Sequence, residues 1–332
     1  MRRLTLTLQL PPWARLTHPV LRTVLQRDQR RHTRGARLLA AITGVLMALG
    51  VLYFGIDSYQ RDISLGVSGQ GESPIFSVLY VFLLLLQLFA QIAALLLASS
   101  FLASERRREA WELVKITSHG AELSVWARWA AVMYRLRWIL AALWMPRLFF
   151  AGTMLHDLTG YRGQQLDLAI AGVTPATSIP AAIGLLAAVI LAVLLQPLAA
   201  VALNASAGLA IVALTGSGRV YQLARGGALV VQVIAFAVAL SAGWLVLNGD
   251  PWSLGYEAMS MPERWTSLLA LAVAGDQGLR FMNLQTVFRA WIDVDFGVLL
   301  GAALLALVII ELAVAHELAR WAGSRAGRPA RG

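Results

Sequence analysis

The side chains able to do chemistry in this chain are few and widely scattered. Five histidines, His18, His32, His119, His156 and His316, are the only strong nitrogen donors for a metal, and there is no cysteine. Disulfides, thiolate zinc sites and cysteine nucleophiles are thereby excluded. No H-E-x-x-H helix is present to turn two imidazoles toward one zinc ion. His316-Glu317 has no second histidine four residues on. The G-x-S-x-G elbow that exposes a nucleophilic serine is also missing. The single lysine, Lys115, is not preceded by glycine in the register G-x-x-x-x-G-K-[ST], so ATP cannot be held by a P-loop of this chain. Nothing in the pattern points to catalysis, and no cofactor or metal ligand set is expected here.

What remains are polar groups in apolar surroundings. Arg147, directly after Pro146, and Glu311 lie inside long hydrophobic stretches. Ionisable side chains in a membrane span are costly, so each is a functional or structural site by default. Both fall toward the inner half of the expected bilayer and could pair. A structural ion pair holding the bundle is the expected role, ahead of a substrate contact. Gln87 and Gln91, one helical turn apart, suit interhelical hydrogen bonds. Ala205, Gly208, Gly297 and Gly301 are small enough for close helix contact, and the last two have GxxxG spacing.

The elements that carry these residues follow from composition. Of 332 residues, 58% are hydrophobic and 14% are charged, with a mean hydropathy of +0.66. A soluble domain carries about a quarter charged residues, so a single all-α membrane domain is expected. A span needs about 20 apolar residues. About six stretches qualify: 37–56, 75–103, 138–155, 178–213, 226–247 and 296–316. Gln196-Pro197, and later Asn204, predict a kink or short interruption in the fourth. Together they form a domain over 37–317, preceded by a basic segment 1–36 and followed by a basic tail 318–332.

The net charge of +10 is unevenly distributed. Segment 1–36, the stretch between spans two and three, residues 219–225 and the tail hold most of the arginines. The outer segments hold most of the acids, including Asp57, Asp157, Asp250, Glu263 and Asp293. By the positive-inside rule both termini face the cytoplasm of a multi-pass cell-membrane protein. The high pI of about 10.9 is thus a topology signal, and no nucleic-acid partner is expected. No cleavable signal peptide is expected, because 1–36 has no apolar core at its start.

Three segments are not spans. Residues 11–31 place Trp13, Leu16, Val20 and Leu21 at helical spacing with arginines elsewhere on the wheel. That pattern suits a helix lying at the cytoplasmic interface, bent or divided by Pro19. Residues 249–295 carry Trp252, Trp265 and Trp291 and two apolar stretches too short to span, expected as interfacial or re-entrant helices. Between spans two and three, 105–137 pairs Glu105, Glu109 and Glu112 with arginines at (i, i+3) and (i, i+4) spacing around Trp111. A turn at Thr117–Gly120 follows, and then an amphipathic helix restarting near Ala121 and leading into span three.

This order of parts resembles the permease subunits of the type-2 ABC exporters. Glu105-Arg106-Arg107-Arg108-Glu109-Ala110-Trp111-Glu112-Leu113-Val114-Lys115-Ile116-Thr117 is similar to the family's coupling segment, an acidic-basic run with a Glu-Leu-Leu core. His18-Pro19-Val20-Leu21 looks like its Asn-Pro-Val-Leu opening. Ala110 departs from the usual glycine, and the turn proline is replaced around Ser118-His119. The resemblance implies a coupling segment over 104–124, with Glu105, Arg108, Trp111, Glu112, Lys115 and Thr117 docking a separate cytosolic ATPase. ATP and magnesium would sit on that partner, and two permeases, identical or paralogous, would pair in the lipid bilayer. The alternative is a membrane anchor or assembly subunit that does not transport.

Overall fold

A computed structural model describes residues 74–106, 120–159, 178–216, 218–248, 260–263 and 299–326, with Val45 and Leu279. The expected interfacial helix 11–31, nearly all of the first span, the coupling core 107–119 and most of 249–295 lie outside the described residues. Among the described residues there is no strand. The elements are α1 (Pro74–Arg106), α2 (Gly120–Thr159), α3 (Ile179–Thr215), α4 (Arg219–Asn248) and α5 (Leu300–Ala326). They correspond to the second through sixth expected spans. All five are long and apolar enough to cross a membrane, as a polytopic membrane protein requires.

Cross-helix contacts fix the directions. Gln87 and Phe101 of α1 meet Arg147 and Arg135 of α2, so these two helices are antiparallel. Arg147 and Trp129 of α2 meet Val193 and Ser206 of α3, again antiparallel. Gly301 and Glu311 of α5 sit beside Leu185 and Gln196 of α3, so α3 and α5 run parallel. Glu122 at the start of α2 packs on Gly323 near the end of α5. The ends of α1, α3 and α5 and the starts of α2 and α4 therefore share one end of the bundle.

Helix α3 is the hub and packs against all four other helices, most extensively against α5 and α1. Its sequence explains the position. It carries no ionisable side chain, and Ala192, Ala199, Ala202, Ala205, Ser206 and Gly208 present a small-residue surface, all buried. Without a hydrophobic drive between helices in lipid, such surfaces hold by close van der Waals contact. A methyl group added at Gly208 would lie 2.6 Å from the Leu95 carbonyl oxygen of α1. A methyl group at Gly301 would lie closer still to the Leu185 carbonyl of α3, with Val189 Cγ2 at 2.8 Å. Its small size thus serves contact within the chain; Gly297 lies outside the described residues. The helix ends at Gly216, whose φ of +73° favours glycine and whose N–H caps Val212 O at 3.0 Å.

The structure bears on two expectations. Helix α3 runs without interruption through Pro197 and Asn204. The carbonyl that the proline leaves open is taken by Arg147, and Asn204 bonds back to Ala200 O at 2.9 Å within the helix. Helix α2 has no separate amphipathic lead-in: it is one 40-residue helix, and its apolar part starts at Ala121 rather than at 138. Val125, Ala127, Ala131 and Val132 are buried in the bundle. The arginines that follow them adapt: Arg135 lies 4.3 Å from the Phe101 ring, and Arg137 lies 5.5 Å from that of Trp138. Arg128 is fully buried, bonded to Ser124 Oγ and to its carbonyl at 2.7 Å.

Candidate functional site

The polar side chains of the bundle gather midway along the helices. Gln87 lies roughly 20 Å from the start of α1, and Gln196 roughly 26 Å from the start of α3, at 1.5 Å per residue. Neither position is near a water-exposed end, so each polar group there needs a partner inside the protein.

Arg147 is 1% exposed. Its Nη1 donates to the Val193 carbonyl at 2.6 Å, and its Nη2 to Gln87 Oε1. Proline 197 has no N–H, so the carbonyl four residues earlier, Val193, loses its helical donor. The guanidinium supplies a replacement from α2. One turn away on the same helix, Trp144 Nε1 donates to the next carbonyl, Leu194 O, at 2.8 Å. Arg147 and Trp144 together clasp the proline turn of α3, and Gln87 ties the clasp to α1.

Glu311 is held from the other side of α3. Gln196 Nε2 lies 3.5 Å from Glu311 Oε1, while Gln196 Oε1 and Glu311 Oε2 are buried without a hydrogen-bond partner. No ion pair joins Arg147 to Glu311. The two charged residues instead engage neighbouring turns of α3, at Val193 and Gln196.

A second polar knot lies one turn along. Gln232 of α4 donates to Gln91 Oε1 at 3.1 Å and to Asn204 Oδ1 at 2.9 Å. With Gln87 and Gln91 one turn apart on α1, polar contacts run across all five helices. The glutamine pair on α1 was legible as interhelical. Gln232, with nothing unusual in its sequence surroundings, was not singled out.

The sequence matches no protein-family model, and neither a curated protein nor a solved structure matches it. Function must therefore be argued from this chain's own residues. Of the coupling residues, Glu105 sits in the last turn of α1. Arg108, Trp111, Glu112, Lys115 and Thr117 lie outside the described residues. Among the described residues no group of three metal-ligating side chains forms, and His316 stacks against Trp126 with ring centroids 5.0 Å apart.

Proposed function

We propose that the chain is the membrane-spanning permease subunit of an ABC exporter, driven by a separate cytosolic ATPase that docks at 104–124. The observation carrying this reading is the arrangement at one end of the bundle. The stretch joining α1 to α2 leaves from the end that also holds the α3–α4 turn, Arg219, Arg225, Arg320 and Arg325. That end corresponds to the basic, cytoplasmic side expected from the charge distribution.

Helix α2 gives the segment a mechanical route inward. Its first turn braces the end of α5 through Glu122 on Gly323. Its middle grips α3 and α1 through Trp144 and Arg147. At about 1.5 Å per residue it is a rod of roughly 60 Å. A push on the segment before Gly120 travels along one continuous helix to Trp144, and reaches Arg147 just past Pro146. ATP-driven closure of the partner would move α2, and α2 would shift the proline turn of α3. Two such subunits would enclose the path between them.

The test is a search for an ABC ATPase encoded beside this chain and co-expression of the two. Wild type is expected to co-purify with it and to stimulate its ATP hydrolysis, and Trp111→Ala combined with Glu112→Arg is expected to lose both. Unchanged association and stimulation in the variant would remove the coupling assignment. If no ATPase accompanies the wild type, the chain is instead an anchor or assembly subunit.

A further inference from the structure

Gln196 and Glu311 meet with an unusual account of donors and acceptors. The amide nitrogen faces one carboxyl oxygen at 3.5 Å, and the other two oxygens, Gln196 Oε1 and Glu311 Oε2, are both buried and both without a partner. Gln196 is 3% exposed, and Glu311 is half-buried with its Oε2 turned into the bundle. An ionised carboxylate is an acceptor only and offers nothing to the amide oxygen. One hydrogen, placed on Oε2, resolves both orphans. The neutral acid then donates to Gln196 Oε1 while it accepts from Gln196 Nε2.

We propose that Gln196 and Glu311 form a proton-binding site in the middle of the bundle, closed by a two-bond acid–amide pair between α3 and α5. The ligand is a proton rather than a metal ion. A sodium- or calcium-like ion takes about six oxygen ligands or more, and this contact offers the two oxygens of Glu311 and one of Gln196. The charged groups around it among the described residues agree. Helix α3 contributes no ionisable residue. From α2, Arg147 directs its two terminal nitrogens to Val193 and Gln87. From α5 itself, His316 lies more than a turn on, against Trp126. Removal of the proton leaves a carboxylate facing an amide oxygen, so the α3–α5 contact at this level loosens when the proton leaves. This site stands on the α3–α5 geometry and is independent of the ATPase reading.

The experiment is infrared spectroscopy of the full chain in phosphatidylcholine nanodiscs, with no ATPase present. At neutral pH the wild type is expected to show the carbonyl stretch of a protonated carboxyl. That band is expected to be lost in Glu311→Gln, displaced in Gln196→Leu, and bleached in the wild type on titration to alkaline pH. Glutamine at 311 can form two amide–amide bonds with Gln196, so this variant is expected to keep its thermal midpoint. The wild-type midpoint is expected to fall relative to it as pH rises. Identical wild-type and Glu311→Gln spectra in the carboxyl region would show an ionised Glu311 and overturn the proposal. So would a band that appears only when sodium is replaced by choline, which would assign the site to a cation. If Glu311→Gln fails to fold, the wild-type titration and the Gln196→Leu displacement still decide.

Discussion

Arg147 donates from Nη1 to the carbonyl oxygen of Val193 at 2.6 Å, and Val193 stands four residues before Pro197. The side chain of one helix thus fills a hydrogen bond that the proline removes from another. The relationship makes a non-additive prediction. Arg147→Leu strips a donor from Val193 and from Gln87. At about 0.6–1.7 kcal/mol per interhelical hydrogen bond, the expected cost is about 1–3 kcal/mol. Pro197→Ala restores an N–H to Val193 within α3. In the double variant the cost of losing Arg147 is therefore expected to shrink by about 1 kcal/mol. Unfolding measured in a double-mutant cycle checks this, and strict additivity would show that the arginine does not serve the proline turn.

The glycines divide into two groups with opposite expectations. An added methyl at Gly301 meets the Leu185 carbonyl and Val189, and one at Gly208 lies 2.6 Å from Leu95 O. Both contacts involve backbone, which has little room to yield. Alanine at either position is expected to destabilise by about 1–3 kcal/mol. At Gly152 and Gly184 nothing lies within 4 Å of such a methyl, and both are helical. Alanine there is expected to be neutral or to stabilise by up to about 1 kcal/mol. Thermal unfolding of the four variants in one detergent tests the contrast.

Outside the bundle, Ser260 gives Glu263 a distinct titration. Its N–H and Oγ–H donate to Glu263 Oε2 at 2.8 and 2.9 Å at the start of a helix, and these bonds lower the carboxyl pKa below its ordinary value near 4.5. The folded pKa is depressed, so the bonds help to hold this turn above the unfolded pKa. Their contribution is lost as pH falls through the lower folded value. Carbon NMR of the labelled carboxyl is expected to show Ser260→Ala moving Glu263 back toward the ordinary range. A titration unchanged by the substitution would mean that the hydroxyl bond does not form in solution, since the N–H bond survives in the variant.

The hydrophobic runs made five helices readable before any coordinates, because length and composition alone specify an apolar rod. What they hid is partnership. Arg128 looked cytoplasmic because a linear scan weighs its charge and not the face it occupies. Ser124, one turn earlier, is what lets it stay inside. Arg147 and Glu311 were legible as unusual, but their partners were not: a backbone carbonyl has no side-chain signature, and only Pro197 hints that it is open. Pro197 predicted a kink or short interruption; the helix is continuous there, with Arg147 on the carbonyl the proline leaves open. Compensation across helices is invisible to a rule applied one helix at a time. Gln232 was missed for the same reason, since a single glutamine in an apolar helix acquires meaning only opposite Gln91 and Asn204.

That glutamine sets the last expectation. Among the described residues helix α4 is the most loosely held of the five: its main neighbours there are α3 and α1, and among its described side chains Tyr221 alone is fully buried. Val230, Val231, Val233 and Ile234 face outward, so Gln232 is the side chain of this stretch that turns inward with specific bonds. Leucine at 232 removes both bonds and leaves Gln91 Oε1 and Asn204 Oδ1 without their donor, at an expected cost of about 1–2 kcal/mol. Because α4 has few other ties, the effect should appear as local loosening before global unfolding. Spin labels at Ala235 on α4 and Leu85 on α1 are expected to report a broader distance distribution in Gln232→Leu than in wild type. Arg147→Leu, acting between α1, α2 and α3, should leave that distribution unchanged. Equal broadening in the two variants would mean that the two polar knots form one cooperative unit and that α4 is not separately anchored.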